Sequence, residues 1–284
     1  MRKMRKVKMS LFTIFLLAIL MAFTNSQLKA QGVSGQANKQ TAKKVFIAQT
    51  PPLGYNSFDS YGINIYEEVA IKEIDAFIEK FAPHGYEYFV IDNGWFAYPE
   101  SKKVDGLLVP SKGKTDPKDV SCDEYGIPKP AEQYFPNGLK PMIDKLHAKG
   151  LKFGVHLMRG IPRLAVERNL PVKGTNYTAK DIYTTYDDCT WCTFMRGVDM
   201  TKAGAQEYYN SVFKQFAEWG IDFVKVDHVT HFPAEIEGYV KAIAQCGRPM
   251  ILSLSAGGTL MSSIWKPTKK PTWCAPHLIF GTNR

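Results

Sequence analysis

Two carboxylates close short apolar runs and define the chemistry open to this chain. Asp92 follows Tyr88-Phe89-Val90-Ile91, and Asp227 follows Phe223-Val224-Lys225-Val226. In an extended segment alternate side chains share a face, which sets Lys225 beside Asp227. A neighbouring ammonium favours the ionised carboxylate, the form a nucleophile needs. The same spacing also fits a buried ion pair at a strand end. Other polar residues stand at equivalent places: Tyr55, Asn56 and Ser57 end a first apolar run, Asn93 and Trp95 follow Asp92, and His156 and Arg159 end a third run. His228 follows Asp227, and Ser253 and Ser255 end a fifth run. Acids, an amide, cations and aromatic faces together suit a sugar, whose adjacent hydroxyls pair with Asp or Asn while its C–H face stacks on an indole. Asp92, Asn93, Lys225, Trp95, Tyr55 and Arg159 are the candidate sugar contacts, although Trp95 fits a core aromatic equally well and Tyr55 and Arg159 fit packing. Phosphate is a poorer match, because no Gly-rich loop opens a helix. The clustered ligands of a metal site are lacking, and no cofactor is expected.

These residues can meet only if the runs that carry them lie side by side. Leu53–Ser57, Tyr88–Asp92, Phe153–Met158, Phe223–Asp227 and Met250–Ser253 read as nearly continuous apolar strands, the pattern of strands covered on both faces. Between them run helical stripes: Ile74, Phe77, Ile78 and Phe81; Leu139, Met142, Ile143 and Leu146, stopped at Gly150; and Tyr209, Val212, Phe213 and Phe216, closed by Trp219-Gly220. Strands alternating with helices predict a parallel α/β sheet of the (β/α)8 TIM-barrel type. In that fold the chemistry collects at the C-terminal strand ends. Two long insertions, Ser101–Phe135 and about Arg163–Arg196, are expected to loop over that mouth. Only about five βα units can be counted, against eight in a closed barrel.

Length, charge and cysteines set the remaining bounds. Residues 1–30 join a basic start to the apolar stretch Leu11–Phe23 and read as a signal peptide ending at Ala30. Export to the periplasm or medium is therefore expected, with no stable membrane association after cleavage. That segment holds six Lys/Arg and no acid, so without it the formal charge falls from +9 to +3. A nearly balanced chain with no basic run beside aromatic platforms gives nucleic acid no footing. Residues 31–44 read as a disordered linker, 45–265 as the partial barrel and 266–284 as a divergent tail. The five cysteines are an odd number for an exported chain, and Cys189-Thr190-Trp191-Cys192 fits a structural disulfide better than a zinc or redox half-site. Oligomeric state is not legible.

Four ordered motifs add a resemblance. Thr50-Pro51-Pro52-Leu53-Gly54-Tyr55-Asn56-Ser57-Phe58, Ile91-Asp92-Asn93-Gly94-Trp95, Gly150-Leu151-Lys152-Phe153-Gly154 and Phe223-Val224-Lys225-Val226-Asp227 resemble the strand motifs of glycoside hydrolase family 27, the α-galactosidase family. The family usually has Trp at Tyr55 and Phe58, and a second Asp at Asn93. Met158-Arg159-Gly160-Ile161-Pro162-Arg163 and Ser253-Leu254-Ser255 resemble a bacterial branch. The resemblance implies a retaining hydrolase of terminal α-linked galactose or a related sugar, with Asp227 as nucleophile and Asp92 and Asn93 holding hydroxyls. It also implies an acid/base Asp after a sixth strand, yet no Asp or Glu follows Glu237. On that ground a C-terminally truncated barrel is expected, with little or no glycoside hydrolysis by the chain as written. The other expectation is a non-catalytic galactose-type sugar-binding protein.

Overall fold

Residues 51–98, 101–104, 107–110, 120–185 and 192–255 are described in the computed structural model, with backbone alone over 101–110. The signal peptide, the linker and the tail expected at 1–30, 31–44 and 266–284 lie outside these residues, as does Cys189. In chain order the strands are β1 (Gly54–Asn56), β2 (Tyr88–Ile91), β3 (Ser101–Val104), β4 (Leu107–Pro110), β5 (Lys152–Met158), β6 (Ile161–Pro162), β7 (Met195–Arg196), β8 (Phe223–Asp227) and β9 (Ile251–Leu254). The helices are α1 (Phe58–Tyr61), α2 (Glu67–Lys80), α3 (Lys140–His147), α4 (Arg163–Glu167), α5 (Ala179–Ile182), α6 (Ala205–Trp219) and α7 (Pro233–Gln245).

Five strands, in the order β1-β2-β5-β8-β9, pair in parallel throughout. They form a curled half-barrel with one crossover helix between successive strands: α2, α3, α6 and α7. Each expected strand is present to within a residue or two of its ends. The insertions are not plain loops. The first contains the β3–β4 hairpin and the second the small β6–β7 ladder with α4 and α5.

The register arranges the inner face in tiers. Asn56, Val90, Gly154, Phe223 and Ile251 share one level, His156, Lys225 and Ser253 the next, and Met158 and Asp227 the next. Below the acids, Val90, Phe223 and Ile251 of the first of these levels pack with Tyr88, one step further down β2, as a buried apolar cluster. Gly154 leaves room for it, since a Cβ there would come within 2.9 Å of Val90 and 3.0 Å of Phe223. Polar side chains occupy the levels above, at the C-terminal strand ends.

The outer face of the sheet carries the larger core. Phe89, Ile91, Phe153, Val155, Val224 and Val226 are fully buried there with Ile74 and Phe77 of α2, Met142, Ile143 and Leu146 of α3, and Tyr209, Val212, Phe213 and Phe216 of α6. The stripes read from the sequence are these faces, apart from Phe81, which is 41 % exposed just beyond α2. Burying each such side chain contributes about 1.5–3 kcal/mol. No helix among the described residues is long and apolar enough to cross a membrane.

At the opposite, N-terminal end of the strands Asp222 acts as a staple. Its carboxylate accepts the Phe153 backbone N–H at 3.0 Å and the Arg248 guanidinium at 2.5 Å, and pairs with His147 at 2.7 Å. It thereby ties β8 to β5, to the end of α3 and to the segment entering β9.

Candidate active site

Asp92 is fully buried, one residue past β2, and both its oxygens are engaged. Oδ2 accepts Asn56 Nδ2 at 2.7 Å and Lys225 Nζ at 2.9 Å, while Oδ1 accepts the Asn93 backbone N–H at 2.8 Å. Its own backbone N–H donates to Ser57 Oγ at 2.9 Å. The first strand's Asn-Ser pair is therefore a cradle for this acid. Burial alone would raise its pKa, but His156, Lys225 and the Asn93 N–H outweigh burial and hold it below the usual carboxylate range.

Asp227 ends β8 with a fifth of its side chain exposed. Oδ2 lies 3.1 Å from His156 Nε2 and 3.4 Å from Lys225 Nζ, whereas the buried Oδ1 has no hydrogen-bond partner within normal geometry among the described residues. Burial pushes this carboxyl up; the His156 ring and the Lys225 ammonium pull harder and keep it well below its ordinary range. Lys225 is lowered by its own burial but raised on balance by Asp92 and then Asp227, so it stays charged. Lys225 thus bridges two carboxylates, a role its spacing from Asp227 only half disclosed.

His156, named from its place at a strand end, is fully buried and completes the group. Asp92, His156 and Asp227 offer three ligand atoms within 4.8 Å of one another, a grouping the sequence hid by spreading it over three strands. Those donor types would suit a divalent ion. The ammonium of Lys225 already lies against both carboxylates, so an ion would have to displace it.

The other candidates divide. Asn93 is buried with Oδ1 lacking a donor, as a group awaiting a hydroxyl would be. Tyr55 lies with its ring stacked on Phe89 at 5.1 Å, and burial pushes its phenol pKa up. Trp95 offers no face to a ligand. It is fully buried against Phe96, Phe216 and Trp219, and its indole N–H donates to the His156 carbonyl at 2.7 Å. Its surroundings are those of a core aromatic. Arg159 is likewise drawn inward, with Nη1 on Glu235 Oε1 at 2.5 Å and its guanidinium 3.5 Å from the Phe232 ring centre.

Glu235 was missed altogether. It sits in the first turn of α7, buried, and also accepts the Tyr209 hydroxyl. Burial raises its pKa despite Arg159 and Tyr209. Its only sequence signal was an acid on the otherwise apolar face shared with Tyr239 and Ala242. Phe58, from the first motif, is 43 % exposed with the Lys225 ammonium 5.6 Å from its ring centre, which makes it an exposed aromatic face beside the acids.

Comparison with known proteins was consistent with this geometry. The family model described as glycosyl hydrolases family 31 TIM-barrel domain matches residues 59–246. The solved GH27 β-L-arabinopyranosidase of Geobacillus stearothermophilus is 41 % identical, with a TM-score of 0.67 over 76 % of this chain and 50 % of its own. Among curated proteins, an α-galactosidase of Cyamopsis tetragonoloba is 25 % identical over 80 % of this chain and 43 % of its own length, and α-galactosidase A of Cellvibrio japonicus 26 % identical over 85 % and 46 %. The chain spans less than half the length of these curated relatives. The family 27 resemblance thus meets a family 31 barrel model on the same stretch of chain, together with a family 27 structure.

Proposed function

The chain belongs to the glycosyl hydrolase family 31 TIM-barrel domain family, and from that premise we propose that it carries the nucleophile and sugar-binding half of a retaining glycosidase site, with Asp227 as nucleophile. The observation that carries this reading is the state of Asp227. It is a carboxylate kept ionised by His156 and Lys225, with the Ser255 hydroxyl adding to their pull, at the C-terminal end of an inner-face strand, and its buried Oδ1 has no hydrogen-bond partner within normal geometry among the described residues. A buried acceptor left without a donor calls for an explanation, and a reacting centre supplies one.

In a retaining mechanism Asp227 attacks the anomeric carbon, and a second carboxyl about 5 Å away first protonates the leaving oxygen and then activates water. Asp92 does not fit the second role. Its oxygens already accept three donors, and a carboxyl held below its ordinary range carries no proton to give at neutral pH. Asp92 instead fixes Lys225 and presents Asn93 to the ligand. We assign the glycosylation step to the residues described, and Asn93 and Phe58 to sugar contact.

For the sugar we propose a galacto-configured pyranose. α-D-Galactose and β-L-arabinopyranose share their ring hydroxyl pattern and differ in the hydroxymethyl group at C5. The curated relatives are named for the first and the 41 % identical structure for the second. Export of the protein remains part of this proposal, resting on the charged and apolar segments of residues 1–30.

An activated fluoro-glycosyl fluoride tests the reading without an acid catalyst, because fluoride departs unprotonated. Incubation with the galactosyl and L-arabinopyranosyl reagents should add one glycosyl mass to the peptide bearing Asp227, and Asp227→Asn should remove the label. A folded protein labelled by neither reagent overturns the nucleophile assignment. If that protein still binds the sugar saturably by calorimetry, the site is a sugar-binding module.

A further inference from the structure

His156 has so far entered only through its charge effect on Asp227. Three observations define what it can do. Its side chain is fully buried and its Nε2 lies 3.1 Å from Asp227 Oδ2. An ionised carboxylate only accepts, so Nε2 carries a hydrogen and donates it. Nδ1 is buried without a hydrogen-bond partner among the described residues, so within them the contact to Asp227 is the ring's single polar tether.

The backbone holds the donor in place. His156 is the register partner of Lys225 on β8, and Met158, two residues on, is that of Asp227. Trp95, locked in the core, donates its indole N–H to the His156 carbonyl at 2.7 Å and pins the strand just where the imidazole departs. The charged groups facing the ring are Asp92 and Asp227, with Lys225 alongside.

We infer that His156 is a positioning residue: with Lys225 it clamps Asp227 through Oδ2, fixing the plane of the carboxylate and making its two oxygens inequivalent. Lys225 cannot do this alone, because a single ammonium at 3.4 Å, shared with Asp92, sets charge without setting rotation about the Asp227 side chain. A directional N–H on the same oxygen, from a ring with no other polar tether among the described residues, does set it.

The inference rests on Asp227 being the nucleophile, and the test separates the two. In labelling, a bond forms between the Asp227 carboxylate and the anomeric carbon as the C–F bond breaks and fluoride leaves with its electron pair. His156→Phe keeps ring volume and removes the donor. Its rate constant at saturating reagent should fall about 100-fold, as for a misplaced reacting group, while the concentration giving half-saturation stays within about twofold. The Asp227 carboxyl followed by carbon-13 NMR should titrate higher than in wild type. If the Phe variant does not fold, His156→Ala takes its place, with labelling recovered by added imidazole. Wild-type rates in either folded variant, or an unmoved Asp227 titration, overturn the role of His156 alone. A wild type that takes no label overturns both assignments.

Discussion

Lys225 donates to Asp92 Oδ2 at 2.9 Å and approaches Asp227 Oδ2 at 3.4 Å, so one ammonium serves two carboxylates that stand 135 residues apart in the chain. Neither acid can be altered without changing the other's environment. Asp92→Asn removes a charge that is buried and hydrogen-bonded from three sides. We expect a loss of about 1.5–3 kcal/mol in urea unfolding, the range for hydrogen bonds to charged groups. Wild-type stability would show that Asn56 and Lys225 gain nothing from that charge.

Acid should unfold the protein through these same groups. The folded pKa values of Asp92 and Asp227 lie below their ordinary value of 3.8. Each therefore contributes stability that is complete above that value and is lost as pH falls through the folded one. Glu235 has the opposite sign: raised above 4.5, it favours the fold below that pH and less as pH rises. Denaturation midpoints from pH 6 down to pH 2 should fall steeply below about pH 4, and less steeply in Asp92→Asn. Equal slopes in the two proteins would count against the shift at Asp92.

Glu235→Ala leaves the Arg159 guanidinium buried against Phe232 without its carboxylate. Breaking a buried pair from one side costs about 3–5 kcal/mol. Glu235→Gln, which keeps an acceptor, should cost less. Thermal and urea unfolding of the two variants checks the order.

Asp222→Ala should lower stability by about 1–3 kcal/mol through the orphaned Phe153 N–H and Arg248. Because Asp222 sits at the N-terminal strand ends, where barrels keep their stability residues, sugar binding by the folded variant should match wild type. Altered affinity in calorimetry would contradict that separation.

Gly160→Ala should be the most damaging small change. Gly160 has φ +98°, and a Cβ there would fall 1.8 Å from the Arg196 carbonyl oxygen where β6 meets β7. We expect the variant to be recovered mainly as unfolded or aggregated protein, and a thermal midpoint close to wild type would refute the close approach.

The elements of the fold were legible because their signals are local. The runs ending at Asp92, Met158 and Asp227 are apolar but for His156 and Lys225, and the stripe Tyr209, Val212, Phe213, Phe216 repeats at the helical period. Placing polar residues at strand ends followed from the fold alone. The partners of those residues were not legible. Asn56 to Asp92, Lys225 to Asp92 and Arg159 to Glu235 join positions 36, 133 and 76 residues apart, and no periodicity reaches that far.

The sequence by itself determined that this is a parallel α/β chain whose carboxylates, amide and cations gather at one end of a sheet, because alternation and period are properties of neighbouring residues. Only the tertiary structure decided which of them stay at the open end of the sheet and which are buried against partners. Trp95 and Arg159 have types that serve a sugar as well as a core, and packing drew both inward, one onto the His156 carbonyl and the other onto Glu235. His156 was one strand-end residue among several until the register of β5 and β8 set it against Asp227. A side chain's role follows from what lies within about 3 Å of it, and that distance is fixed by strands brought together from across the chain.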